Sequence, residues 1–427
     1  MQALNRDNSF MGYTKNALAG FSWQTILRGV IAVTTLTKIF FLARLLDPTA
    51  FGLFSLITIA LGISEATTQT GVNITILQSK RSIQYFIDTA WVIAIIRGLI
   101  IGSIMLLLGA VMSNFYEQPE LLLLIGLASL VPVIKGFINP AIVMMQKQLQ
   151  FFADSSYRFS LVIADAVLAI VLAFFLKSVA ALVLALIGAA IFEVIISFLL
   201  FKNRPKFHYV RSSGELIFRN AKWLSFSALF SYLLENLDNV LIGKLTSTAG
   251  LGVYHNAYGL AHKVNYDFAK SAAHSTFSIF TKLTTQKERM LAAFSKTTLA
   301  SMGLVILTSI PLFFFPEFFV RLILGTQWLD AIPVVRWLVL AGIIQSLITL
   351  LYNFLMANKA YLAMNIHLAT SVIVMVTLLL VLTPSSGLVG AGVAIFFTRL
   401  LTLPIVVIGV LNLTGITKKI LTIFKQS

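Results

Sequence analysis

The sequence predicts an all-α integral membrane fold of about twelve transmembrane helices. They form two six-helix lobes related by a pseudo-two-fold along the membrane normal. Three observations predict it. The 427 residues are 58% hydrophobic and 11% charged, whereas a soluble domain carries about 25% charged residues. The apolar residues gather into twelve runs, each near the roughly 20 residues a helix needs to cross a bilayer. One short stretch recurs, without a gap, at the start of each half.

The runs justify the elements in order. The polar start MQALNRDNSFMGYTKNALAG leads into a long apolar stretch with no small-residue cleavage site, so it reads as a cytoplasmic tail rather than a signal peptide. Six spans follow at roughly 18–42, 51–77, 88–113, 121–145, 158–177 and 180–201. FKNRPKFHYVRSSGELIFRNAK is the only long polar connector. Six further spans lie at roughly 223–243, 252–280, 294–316, 332–356, 361–382 and 387–412. The expected organisation is an N-terminal lobe over 1–202, a basic cytoplasmic connector over 203–222, and a C-terminal lobe with a short basic tail over 223–427.

Loop charges test this count, because cytoplasmic loops carry an excess of Lys and Arg. With the N-terminus inside, the inner loops hold Arg6, Lys15, Lys80, Arg81, Lys147 and Arg158. The connector adds Lys202, Arg204, Lys206, Arg211, Arg219 and Lys222. Lys282, Lys287, Arg289, Lys359, Lys418, Lys419 and Lys425 complete the inner set. The outer loops hold Arg44, Lys177, Lys244 and Arg321. One missed span would invert every later loop and destroy that asymmetry. The expectation is a multi-pass membrane protein with both termini cytoplasmic.

The same count accounts for the net charge of +16. Topology and attraction to anionic membrane lipid suffice, so no nucleic-acid partner is expected. There is no cysteine, which removes disulfides and thiolate metal sites. The five histidines, His208, His255, His262, His274 and His367, lack zinc-like spacing. No metal and no cofactor are expected.

The recurring stretch is LARLLDPTAFGLFS, Leu42 to Ser55, and IGKLTSTAGLGVYH, Ile242 to His255. Arg44 aligns with Lys244, Asp47 with Ser247, Gly52 with Gly252 and Phe54 with Tyr254. Asp47 and Ser247 suit helix N-caps, and Pro48 suits the first helical position. Arg44 and Lys244 end the preceding helix, where a cation complements the dipole and can snorkel. MMQKQ at Met144–Gln148 echoes MANKA at Met356–Ala360, and GAAIF at Gly188–Phe192 echoes GVAIF at Gly392–Phe396. Six helices per half is even, so both halves enter from one side and form a parallel repeat. Such halves usually enclose a path open to each side in turn, which argues for a transporter.

The spans carry nine cations, Arg28, Lys38, Arg97, Lys135, Lys263, Lys270, Lys296, Arg336 and Arg399, and six anions, Glu65, Asp165, Glu193, Glu235, Asp238 and Asp267. Each costs roughly 2.5–3.5 kcal/mol at a lipid-exposed helix centre, about 40–50 kcal/mol in all. They must face protein, water or the interface. In span one, Gln24, Arg28, Thr35 and Lys38 share one broad polar side. Arg28 is the deepest, and it serves either as a cavity cation for an anionic head group or as a buried partner for an acid. In span seven, Ser231, Glu235, Asp238 and Asn239 share a face by i+3 and i+4 spacing. They suit a coupling ion or sugar hydroxyls, or they pair with cations across the bundle. In span eight, Asp267 neutralises its helical neighbours Lys263 and Lys270, leaving one positive charge. Tyr254, Tyr258, His262, Asn265 and Tyr266 form a polar-aromatic side that suits sugar rings or a membrane interface. Gly387, Gly390 and Gly392 permit close packing in the last span, where Pro404 introduces a kink.

Four stretches then carry a family resemblance. LARLLDPTAFGLFSL, NLDNVLIGKLTSTAGLGVYHNAYGLA, LILGTQWLDAIPVVRWLVLAGIIQSL and GLVGAGVAIFFTR resemble the opening, the seventh span, the tenth-span entry and the last span of the polysaccharide flippases. These form the Wzx-like branch of the multidrug/oligosaccharidyl-lipid/polysaccharide exporter superfamily. The likeness covers nearly the whole chain, and its motifs are mainly structural. It implies two six-helix lobes in a V and alternating access. It implies translocation of a polyprenyl-pyrophosphate-linked oligosaccharide for surface polysaccharide such as O-antigen or exopolysaccharide. It further implies H+ or Na+ as a coupling ion and the polysaccharide polymerase machinery as a partner. The candidate substrate-binding cations are Arg28, Lys38, Arg97, Lys263, Lys270 and Arg336, because lysine and arginine hold pyrophosphate. The polar or coupling candidates are Glu235, Asp238, Asn239 and Asp267.

Three rivals are separable. A cation-coupled drug or organic-cation antiporter of the same fold prefers an acidic cavity, whereas these ions lean basic. An enzyme of polysaccharide synthesis needs a sizeable outer loop. Here the longest, near Glu317–Asp330, has acids but no histidine, so no enzyme is expected. A lipid II flippase of the same superfamily carries two further helices, which are not expected here.

Overall fold

Lipid offers backbone groups no hydrogen-bond partner, so a spanning segment must close its own bonds as a helix. The computed structural model describes residues 29–68, 72–78, 81–148, 150–201, 203–218, 221–282 and 286–414. Each of the twelve expected spans is mostly helical where it is described, and no strand occurs among the described residues. In the first half the elements are α1 (29–45), α2 (Pro48–Thr67), α3 (Val72–Gln78), α4 (Ile87–Tyr116), α5 (Glu120–Ala128), α6 (Leu130–Lys135), α7 (Val143–Lys147), α8 (Phe151–Leu176) and α9 (Val179–Leu200). After α10 (Arg211–Phe218) come α11 (Ala221–Leu245), α12 (Thr248–Lys282), α13 (Lys287–Phe314), α14 (Pro316–Phe319), α15 (Ala331–Ala357) and α16 (Tyr361–Thr414). Helices α2, α4, α8, α9, α13, α15 and α16 are long and apolar enough to cross a membrane. The bent run from α5 to α7 makes an eighth, among the described residues.

Four of the expected spans are less regular than their apolar runs suggested. The run 51–77 stops at Thr67 and resumes at Val72. The run 121–145 bends by 67° between α6 and α7. Its cause is local, since Asn139 caps the next turn by accepting from the Ala141 amide at 3.0 Å, and Pro140 begins that turn. Helix α16 is one 54-residue run that holds two expected spans. Gly387 breaks it with φ +56. The halves then lie side by side, because the Ser371 hydroxyl donates to Thr402 Oγ1 at 3.1 Å.

The repeated stretch is a repeated structure. In each copy a helix ends, two residues turn, and the next helix begins at the third. Leu46 N bonds Leu42 O at 2.9 Å, and Thr246 N bonds Ile242 O at 3.0 Å. Asp47 Oδ1 accepts from the Ala50 amide at 2.9 Å, and Ser247 Oγ accepts from the Gly250 amide at 3.0 Å. Both corners are N-caps of the same geometry.

The chain divides into two compact units, Met1–Asn236 and Leu237–Ser427. The division falls inside α11 and not in the 203–222 connector. The reason is that the connector docks on α4 of the first unit. The Lys206 amide donates to Asp88 Oδ1 at 2.8 Å, and the Val210 amide to Thr89 Oγ1 at 3.0 Å. Asn139 Nδ2 donates to Asn203 O at 2.8 Å. Phe207 stacks on Trp91 with centroids 4.6 Å apart. Ile217 of α10 is buried with Ile76, Ile83, Phe86, Ala90, Ile93 and Val143. A polar segment that satisfies its backbone groups this way is a fixed strap rather than a linker.

Within the first unit, α4 packs on α2, α5 and α6, and α8 packs on α9. In the second, α15 is central, with α12, α13 and α16 around it. Val334, Val335, Leu338, Val339, Ile348, Phe354 and Leu355 of α15 are almost wholly buried. Since lipid is as apolar as leucine, close packing and polar contacts hold such a bundle together.

Candidate functional site

In the first unit, Lys38 of α1 donates from Nζ to Asp165 Oδ2 of α8 at 2.7 Å. Both side chains are partly buried, and Asp165 Oδ1 is buried without a hydrogen-bond partner. The nearby hydroxyls of Thr34, Thr35 and Thr37 each bond a carbonyl one turn back. The polar side of α1 therefore presents its lysine as the chief charged group among the described residues.

Arg97 of α4 has a different employment. Its Nε donates to Thr68 O at 2.8 Å and its Nη2 to Glu65 O at 3.2 Å. Those carbonyls end α2, where Glu65 O also accepts from the Thr68 amide at 3.4 Å and a cation complements the dipole. Arg97 thus fixes the break between α2 and α3. Lys147 acts similarly, donating to Ile76 O and Arg81 O at 3.0 Å each.

The second unit holds a buried polar network across α11, α12 and α16. Asp238 is 6% exposed. Its Oδ2 accepts from Tyr254 Oη at 2.8 Å, and its Oδ1 accepts from the Asn239 amide at 2.8 Å and from Asn239 Nδ2 at 3.0 Å. Tyr254 is fully buried and lies against Tyr258, ring centroids 5.9 Å apart. Arg399 Nη2 donates to Tyr258 Oη at 3.2 Å, and Arg399 also acts electrostatically on Asp238. Asn239 Oδ1 is buried without a partner. A buried amide oxygen beside a carboxylate is an open acceptor, the kind of group that a water or cation satisfies.

The remaining candidates are scattered. Arg28 lies outside the described residues, as do the side chains of Lys263 and Asp267 on α12. Lys270 and Arg336 are exposed on α12 and α15. Asn353 of α15 donates to Ala273 O of α12 at 2.6 Å, which sets the level of Lys270. Arg336 lies 353 − 336 = 17 residues back along α15, roughly 25 Å away at 1.5 Å per residue. Glu235 and Ser231 are exposed, Asn239 is half-buried, and Asp238 is buried. One helical face therefore places its two acids in different surroundings.

The sequence places Arg399 only among the intramembrane ions, and Tyr254 and Tyr258 on a side suited to sugar rings or a membrane interface. Their union with Asp238 joins positions up to 399 − 238 = 161 apart, which no local spacing reveals. The usable signal was an arginine inside an otherwise apolar last span, since such a charge needs a partner.

The profile of the family described as "Polysaccharide biosynthesis protein" matches residues 41–333, more than half of the chain. The chain belongs to this polysaccharide biosynthesis protein family. Among relatives, it is 23% identical over 351 residues to the lipopolysaccharide biosynthesis protein WzxC of Escherichia coli K12, covering 82% of this chain and 71% of WzxC. Two solved structures share the fold. Against the lipid II flippase MurJ in an inward closed conformation the TM-score is 0.66 at 12% identity, covering 90% of this chain and 87% of MurJ. Against an inward-facing multidrug resistance MATE family transporter it is 0.65 at 15% identity, covering 91% and 96%. At such identities these structures speak for the fold alone. As a member of the polysaccharide biosynthesis family, the chain is a multi-pass membrane protein with the all-α fold its apolar runs predicted.

Proposed function

We propose that this protein is a flippase that translocates a polyprenyl-pyrophosphate-linked oligosaccharide across the bacterial cytoplasmic membrane for surface polysaccharide assembly. The observation that carries it is the family match across most of the chain, on a helical membrane fold like that of a lipid II flippase. WzxC, a relative over most of both chains, bears the name of a lipopolysaccharide biosynthesis protein. Arg28, Lys38, Lys263 and Lys270 meet the pyrophosphate, for which charge-assisted bonds from lysine and arginine are the natural holders. The site opens to the two membrane faces in turn, and both termini stay in the cytoplasm. Asp238 with Asn239 holds the coupling cation, H+ or Na+. The protein transports and does not catalyse, and it hands its cargo to the polymerase machinery.

The competing reading is a drug antiporter, favoured by the likeness to the MATE fold. Deleting the gene and analysing polyprenyl-linked glycans by mass spectrometry, with a test of which leaflet holds them, separates the two. The flippase reading expects lipid-linked glycan to accumulate on the cytoplasmic side and a surface polysaccharide to be lost. An intact surface with altered drug sensitivity would mark the antiporter.

A further inference from the structure

A second polar chain lies in the second unit, apart from Asp238 and its partners. Tyr352 Oη of α15 lies 2.6 Å from His367 Nδ1 of α16. His367 Nε2 lies 3.3 Å from Ser371 Oγ. Ser371 Oγ contacts Thr402 Oγ1 at 3.1 Å, Thr402 Oγ1 bonds Thr398 O at 2.7 Å, and Thr398 Oγ1 bonds Ala394 O at 2.7 Å. His367 is 6% exposed.

The far end of this chain fixes every proton in it. A carbonyl only accepts, so the single hydroxyl hydrogens of Thr398 and Thr402 point to Ala394 O and Thr398 O. Thr402 Oγ1 must then accept from Ser371. Ser371, its hydrogen committed, accepts from His367 Nε2–H. The neutral ring is therefore bare at Nδ1 and accepts from Tyr352 Oη. Tyr352 Oη has a second acceptor in reach, Met364 O at 3.4 Å. When Nδ1 gains a proton, it donates to Tyr352 Oη, and the tyrosine hydrogen turns to Met364 O. Nothing else moves, and no buried polar group loses its partner in either state.

Among the described residues, no charged side chain bonds to His367. From α15 the facing ionisable group is Tyr352, and from the second half of α16 the facing groups are Thr398 and Thr402. Arg399 on that half is turned to Tyr258. Phe280 of α12 and Met290, Leu291 and Phe294 of α13 join Tyr352 and Met364 in an apolar cluster. His367 bonds to no carboxylate among the described residues.

We propose that this chain is a proton-binding site of the second unit, with His367 as the acceptor and Tyr352 as the hydroxyl that turns to admit the proton. A role for that proton in driving transport rests on the flippase reading above, whereas its binding does not.

The test uses the full chain in phospholipid nanodiscs with 15N-labelled histidine and solid-state NMR. One of the five histidine signals, missing in His367→Gln, should pass reversibly from a bare Nδ1 to a doubly protonated ring as the pH is lowered from about 8 to about 3. Tyr352→Phe should displace that titration by about one pH unit, roughly tenfold in proton affinity. It also supplies the assignment if His367→Gln does not fold. A His367 signal that stays one neutral tautomer across this range overturns the proposal. So does a titration unchanged by Tyr352→Phe. Neither readout depends on which cargo is carried.

Discussion

Lys38 Nζ stands 2.7 Å from Asp165 Oδ2, an ion pair that ties α1 to α8 across 127 positions of sequence. With side chains 19% and 29% exposed, it lies between a surface pair and a buried one. Removing Lys38 alone leaves a partly desolvated carboxylate without this ion-pair partner. Lys38→Met should therefore cost about 1–3 kcal/mol, between the exposed and fully buried cases. The double variant Lys38→Met with Asp165→Leu should recover most of that loss in thermal unfolding. If Lys38 also meets the cargo, the double variant regains stability but not flipping. Recovery of both would restrict Lys38 to a structural part.

The Asp238 network makes a second claim. Tyr254→Phe deletes one donor to a buried carboxylate and should cost about 1.5–3 kcal/mol. Tyr258→Phe removes the hydrogen bond from Arg399 and should cost about 1 kcal/mol. Chemical denaturation in detergent ranks the two. Equal losses would mean that Asp238 does not depend on its tyrosine.

The docked connector predicts a protease pattern. Trypsin cuts after Lys206 and Arg211 only when residues 203–218 leave α4. Asp88→Ala with Thr89→Ala removes two hydrogen bonds, about 2 kcal/mol together, which raises the open population roughly 30-fold. Cleavage under slow-cutting conditions should accelerate by about that factor. An unchanged rate would show that Phe207 on Trp91 and the buried Ile217 hold the strap alone.

Gly387 isolates backbone strain from crowding. Its φ is +56, yet a methyl group added there would meet nothing within 4 Å. Gly387→Ala should therefore cost about 1–3 kcal/mol through conformation alone. The loss would appear as a lower melting temperature without altered transport specificity.

Much of the fold was legible because lipid demands long apolar helices, and the all-α class followed from the apolar runs. The breaks were less visible. Asn139-Pro140 is a cap-and-proline start sitting inside an apolar run, so hydropathy passed over it. The connector read as a boundary because it is polar. Its docking depends on residues more than a hundred positions away, Asp88 and Thr89, which accept from its amides, and Trp91, which stacks on Phe207. The site was legible as a set of ions but not as pairs. Arg97 looked like any intramembrane cation, and only the geometry at the end of α2 shows which carbonyls it holds. Asp238 looked equivalent to Glu235 one turn away, until packing buried one and exposed the other.

The two matched corners carry a lesson for comparing distant halves of a chain. At the cap, aspartate in one and serine in the other score as a mismatch. Both nevertheless accept from the amide three residues ahead, at 2.9 and 3.0 Å. What the halves hold in common there is an oxygen in a particular place, and either side chain can deliver it. An alignment scored on identity undervalues that position. One scored on the ability to close the first turn of a helix would detect the kinship of the two halves from this corner alone.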